Sequence, residues 1–225
     1  MRNRLAVAIA ALALLGAAAC NPPNIYETQA GFQPRSQAYT VIHLEGAGQT
    51  EPMPSPWGLI DRREVHRVIQ PVSTAEAYDM VFYEKINGDY KGGAGTYLWT
   101  DLPTPKRGNG SVEDRAKQYL EQFRKAPLVK LQPGAPDYGC PCLVHSVEQK
   151  PFDHEGSKGY EIMGFQRVGA KDGPEFGFYL AVLHRADGAA DKDLHVVVLQ
   201  VSPVERFKAL INDARKLGRR VRWTE

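Results

Sequence analysis

Two stretches, Phe176–Val182 and Leu194–Val201, are apolar on both faces, so they read as central strands of a sheet covered on both sides. Further apolar runs bounded by turn residues surround them: Leu128–Leu131, Leu143–Val147, Gly159–Val168 and the continuation of the first stretch to Ala186. Asp172-Gly173-Pro174 and Asp187-Gly188 punctuate the series as hairpin turns would. A chain with this many closely spaced runs builds an antiparallel sheet.

Helices are expected on either side of the series. Ser111 is a good N-cap with Asp114 three residues on, and Ala116, Tyr119, Leu120 and Phe123 share one helical face. Pro127 closes that helix. After the last run, Ser202, Pro203 and Glu205 have the spacing of a capping box with proline at the first position. Val204, Phe207, Leu210, Ile211, Ala214 and Leu217 then form an apolar stripe, and Gly218 ends it.

The first hundred residues are less regular. Tyr39–Leu44 and Glu64–Gln70 alternate like strands, while Pro52, Pro54 and Pro56 break regularity around Trp57. Thr74–Ile86 is ambiguous: Ser73 and Glu76 have helix-capping spacing, whereas Val81-Phe82-Tyr83 favours a strand. Helix followed by a strand at Thr96–Trp99 is the favoured reading, with a hairpin as the alternative. The expected fold class is α+β, an antiparallel sheet with packed helices in a single domain over 38–225. The order of helix, antiparallel strands and helix is similar to that of PsbP-like domains, a likeness of fold that fixes no function.

Ahead of this domain, Arg2 and Arg4 precede an uncharged apolar run from Leu5 to Ala19. Basic start, apolar middle and small residues at the end are the layout of a secretory signal, expected over 1–19. Ala17-Ala18-Ala19-Cys20 resembles the lipobox of bacterial lipoproteins, although that family prefers Leu where Ala17 stands, and the same residues satisfy the A-x-A rule of ordinary cleavage. The resemblance implies lipid on Cys20, and Asn21 after it implies the outer membrane, facing the periplasm. Residues 20–37, with Pro22, Pro23 and Pro34, read as a lipid-anchored tether.

Removing 1–19 leaves 206 residues with equal numbers of basic and acidic side chains. That neutrality argues against nucleic acid as a partner. The distribution is uneven: from Arg206 to the end, seven basic residues stand against two acidic ones. The helix dipole accounts for Arg215 and Lys216 near a helix C-terminus, but not for Arg219, Arg220 and Arg222, which lie past Gly218. With Trp223 these arginines are candidates for contact with an anionic envelope component. The competing explanation is that Val221 and Trp223 extend an edge strand and the arginines are solvated.

Cys140-Pro141-Cys142 is the one unusual local motif. In an oxidising compartment the two thiols are expected to pair, closing a loop too small to add much stability. Free thiols, a redox role, or a metal site recruiting His145 remain alternatives. A strand over 142–147 would send Cys142 and His145 to opposite faces. Gly92-Gly93-Ala94-Gly95 lacks the lysine and spacing of a P-loop, and no histidine stands in a recognised catalytic or metal spacing. No cofactor is implied. The expected function is a non-enzymatic binding or scaffolding role at the outer membrane, with a thiol or metal protein using Cys140 and Cys142 as the alternative. An enzyme whose residues meet only in three dimensions would reveal itself as a histidine in a pocket beside a carboxylate or serine.

Overall fold

A computed structural model describes residues 39–41, 45–46, 49–50, 57–60, 72, 78–84, 94–101, 111–128, 142–154, 157–169, 172–184, 195–219 and 221–223. In chain order the elements are β1 Tyr39–Val41, β2 Glu45–Gly46, β3 Gln49–Thr50, β4 Trp57–Ile60, β5 Met80–Glu84, β6 Gly95–Asp101, α1 Val112–Lys125, β7 Cys142–His154, β8 Ser157–Val168, β9 Glu175–His184, β10 His195–Pro203, α2 Val204–Gly218 and β11 Val221–Trp223. The main sheet has seven strands in the order β4-β5-β6-β10-β9-β8-β7, all neighbours antiparallel. β1 pairs with β11 and β2 with β3 in two small ribbons. The described residues fall in one compact, sheet-dominated unit, 31–225.

The two helices lie on opposite faces of the sheet. Alternate residues of β9 settle this: Phe178 meets Phe123 of α1, whereas Gly177 meets Phe207 of α2. A methyl group on Gly177 would fall inside the van der Waals shell of the Phe207 ring, so only glycine lets α2 approach. Phe178, Leu180 and Val182, with Val197, Leu199 and Val201 of β10, form the core under α1. The double coverage expected for the two central strands is therefore met by one helix on each side.

α1 begins as the sequence indicates. Ser111 Oγ accepts the Asp114 amide at 3.1 Å, and Asp114 Oδ2 accepts the Ser111 amide at 3.2 Å. Its C-terminus has no glycine. Instead Gln166 of β8, fully buried, donates to the carbonyls of Phe123 and Ala126 and accepts the amide of Leu128 at 2.6 Å. Over the middle of α1, Trp99 donates to Tyr119 at 3.2 Å and Tyr119 donates to Asp101 at 2.8 Å. Arg115 Nε stands 3.3 Å from the same carboxylate oxygen. Burial pushes the Tyr119 hydroxyl far above its ordinary pKa, with the Asp101 charge adding to the shift, so it remains a donor.

Three expectations need correction. Residues 80–84 are a strand forming a hairpin with β6, not the end of a helix, because Met80–Tyr83 pair with Gly95–Leu98 in the sheet. Trp57–Ile60, set among prolines, is a strand paired with β5. Ser202 does not cap α2: it continues β10 in register with Gly177, and Pro203 stands at the cap with no side-chain hydrogen bond. Pairing along β9 has displaced the capping geometry. The expected strand over Glu64–Gln70 lies outside the described residues.

Candidate functional site

α2 covers β9 and β10 but leaves the margin formed by β7 and β8 open beside it. Two adjoining hollows, of about 260 and 300 Å3, make a groove there. Met163 and Phe165 of β8 and Phe207 and Ile211 of α2 give it an apolar floor. One end holds Lys150 and Glu161, and the other holds Ser146 and Lys208.

At the first end Glu161 is the organising group. Tyr179 donates to its Oε2 at 2.8 Å, while Lys150 Nζ and Arg215 stand 3.2 and 3.5 Å from its Oε1. The Arg215 guanidinium lies 3.4 Å from the Met163 sulfur and 5.8 Å from the Tyr179 ring centre. Burial, reinforced by the Glu161 charge, lifts the Tyr179 pKa well above its ordinary value; Arg215 and Arg219 pull the other way. Two cations from α2 and its cap thus act on this corner together with Lys150 from β7.

The other end is shaped by a β-bulge. His145 pairs with Phe165 and Glu148 with Met163, so Ser146 and Val147 together oppose Gly164. Ser146 takes up the irregularity with a φ of 51°, in the left-handed region that non-glycine residues rarely occupy. A Cβ on Gly164 would lie 3.2 Å from the His145 carbonyl oxygen, a tight contact, so glycine opposite the bulge lets the two strands approach without adjustment. The His145 ring stacks on Phe165 at 5.7 Å. Its Nε2 is 2.8 Å from Glu175 Oε1, which also receives Arg167 at 2.8 Å, and its Nδ1 is 3.2 Å from Ser146 Oγ. The hydrogen bond from His145 and the charge of Arg167 hold the Glu175 carboxyl below its ordinary pKa, against the opposing effect of burial. An ionised carboxylate only accepts, so Nε2 donates to Glu175; in the neutral tautomer that does this, the Nδ1 lone pair is left toward the serine. A histidine beside both a carboxylate and a serine, at the lip of a groove, is the arrangement that the sequence could not display.

Next to this the α2 face holds unusual polarity. Glu84 of β5, fully buried, is held by Arg206 of α2, and burial lifts its pKa above the ordinary value while Arg206 opposes the shift. No hydrogen bond reaches Glu84 Oε2, the Gln200 amide or Ser202 Oγ among the described residues.

Of the residues singled out from sequence, Cys20, Cys140 and Arg220 lie outside the described residues. Cys142 opens β7 and is buried in the α1-side core. His145 lies on the opposite face, against Phe165, so Cys142 and His145 do not converge. Among the described residues no three of His, Cys, Asp and Glu gather as a metal site, and no helix is long and apolar enough to cross a membrane. Arg219 caps α2 and is exposed. Arg222 and Trp223 belong to β11, opposite Thr40 and Tyr39, and Trp223 is half-buried. His154 Nε2, 2.7 Å from the Val221 carbonyl oxygen, ties β7 to this strand. Sequence reasoning missed Ser146 and Glu175 entirely and placed His145 only as a metal candidate.

No family model matches the chain, and no curated protein does. Among solved structures it is similar to the cyanobacterial PsbP of a Synechocystis species, with a TM-score of 0.49 at 13% identity, over 86% of this chain and 91% of that one. It is also similar to LpqN, involved in cell envelope biogenesis of Mycobacterium tuberculosis, with a TM-score of 0.48 at 10% identity, over 83% and 91% of the two chains. The Saccharomyces cerevisiae Ran-binding protein Mog1p gives a TM-score of 0.40 at 11% identity, over 83% and 96%.

Proposed function

We propose that the chain is an outer-membrane lipoprotein facing the periplasm, whose α+β domain binds an anionic component of the envelope. Cys20 carries the lipid in this reading, and residues 21–37 let the domain reach its partner. The supporting observation is the grouping of cations around Glu161 and Tyr179: Lys150 from β7 and Arg215 from α2 stand beside the Glu161 carboxylate, and the exposed Arg219 at the α2 cap acts on Tyr179. Arg220, Arg222 and Trp223 follow within four residues of that cap in the sequence. Near an anionic surface each basic side chain contributes about 1 kcal/mol, so the tail strengthens docking without replacing the lipid. Cys140 and Cys142 are proposed as an oxidised pair with little effect on stability.

The test uses a version without the lipid. Replacing Arg219, Arg220 and Arg222 with glutamine lowers its co-sedimentation with anionic vesicles, and raising salt weakens the wild-type interaction. A wild-type domain with no salt-dependent binding to anionic vesicles or lipopolysaccharide overturns the reading. Intact mass spectrometry of membrane-purified protein decides lipidation at Cys20.

A further inference from the structure

The geometry points to Ser146 as a nucleophile that accepts acyl groups, with His145 as its base, Glu175 as the group that orients the base, and acyl esters as the substrate class. Three observations converge. The bulge presents Ser146 at the groove lip in a left-handed conformation that nothing in the pairing of β7 with β8 requires to be a serine. His145 offers its Nδ1 to Oγ at 3.2 Å and is fixed on its other nitrogen by Glu175 at 2.8 Å, which is the nucleophile–base–orienter order of hydroxyl activation. Arg167 on the same carboxylate oxygen and Phe165 under the ring restrict His145 to that orientation. The apolar floor beside Oγ suits a short acyl chain: the nearer hollow, about 260 Å3, exceeds the roughly 150 Å3 that holds a benzene-sized molecule.

The step is acyl transfer to serine. Ser146 Oγ attacks the ester carbonyl carbon and its proton passes to His145 Nδ1, the resulting imidazolium being stabilised by Glu175. The ester C–O bond breaks, the leaving alkoxide takes the proton from Nδ1, and the acyl group remains on Oγ. Water then attacks the acyl-serine, its proton passing through Nδ1 back to Oγ, so that one ester and one water yield one acid and one alcohol.

This goes beyond the binding reading and fails independently of it, because serine reactivity and vesicle binding are read separately. The full-length purified chain is treated with a fluorophosphonate probe, and p-nitrophenyl butyrate hydrolysis is followed in parallel. The expected result is one adduct by intact mass, mapped to Ser146. Ser146→Ala and Ser146→Gly, the second fully compatible with the φ of this position, both abolish adduct and hydrolysis. His145→Gln slows labelling at least tenfold, and Glu175→Gln slows it less, at unchanged circular dichroism. An adduct that persists in Ser146→Gly, or wild-type protein that takes no adduct at Ser146, overturns the proposal.

Discussion

The two faces of the sheet are built to different standards. Under α1 the aromatic and aliphatic cluster is largely buried, and most of the polar groups in it are joined: Trp99, Tyr119, Asp101 and Arg115 in one chain, Gln166 across the helix end. Under and beside α2 the strands carry Glu84, Gln200, Ser202, Glu161 and Tyr179, a bulge with a strained serine, and an open groove. Buried polar groups without partners lower stability, and natural domains tolerate them mostly where binding or chemistry needs them. The α1 face therefore holds the fold together, and the α2 face carries the groove on which the proposed binding and chemistry rest.

Truncated side chains separate the two faces most directly. Phe178→Ala, in the α1-side core, should cost about 3–5 kcal/mol in urea denaturation, whereas Ile211→Ala on the groove should cost under about 1.5 kcal/mol. Equal costs would mean that the groove wall is as structural as the core. Gln166→Leu comes next. It strands the Leu128 amide and two α1 carbonyls, and should cost about 1–3 kcal/mol with loss of protection from hydrogen exchange at the end of α1.

A smaller effect sharpens the contrast by pH. The folded-state pKa of Glu84 is above its ordinary 4.5, so the folded state binds protons more tightly than the unfolded one there. Stability then falls as pH climbs from 4.5 through the raised value, and Glu84→Gln removes that slope. Glu175 behaves oppositely: its pKa is below 4.5, so its contribution is present above 4.5 and is lost as pH falls through the depressed value. Glu175→Gln should flatten the acid limb of the stability curve and leave the other unchanged. The smallest effect belongs to the solvent side of α1. Lys117 and Glu113 form an exposed pair four residues apart, and Glu113→Gln should change stability by under about 0.5 kcal/mol.

The parts of the fold legible in the sequence are those that local rules decide. α1 has its capping box and apolar face, and β8, β9 and β10 are long runs cut by turns, so pattern and structure coincide. Ser202 illustrates the limit. Its capping spacing is sound, yet pairing with Gly177 keeps it in β10 and moves the helix start past Pro203. β5 fails for the same reason, since Val81, Phe82 and Tyr83 are strand only because β6 lies alongside. The candidate site was hidden more deeply. Glu175 reaches His145 thirty residues away through two strand pairings, and the bulge that exposes Ser146 leaves no mark in its own residues. The one available signal was Gly164, a glycine inside an apolar run, which is how a bulge opposite can announce itself.

Among the described residues β7 ends the seven-stranded sheet, and its thirteen residues leave a long row of backbone groups along one side. Copies crowded on a two-dimensional surface would be prone to zip together along such a row. The bulge at Ser146 interrupts the row near its start, and Lys150-Pro151 interrupts it again by placing a charge and a missing donor side by side. The longest uninterrupted segment is thereby reduced to a few residues, too short to template polymerisation. The irregularity that arranges His145 and Ser146 thus also breaks up the edge, and a substitution that straightens β7 should appear first as concentration-dependent assembly.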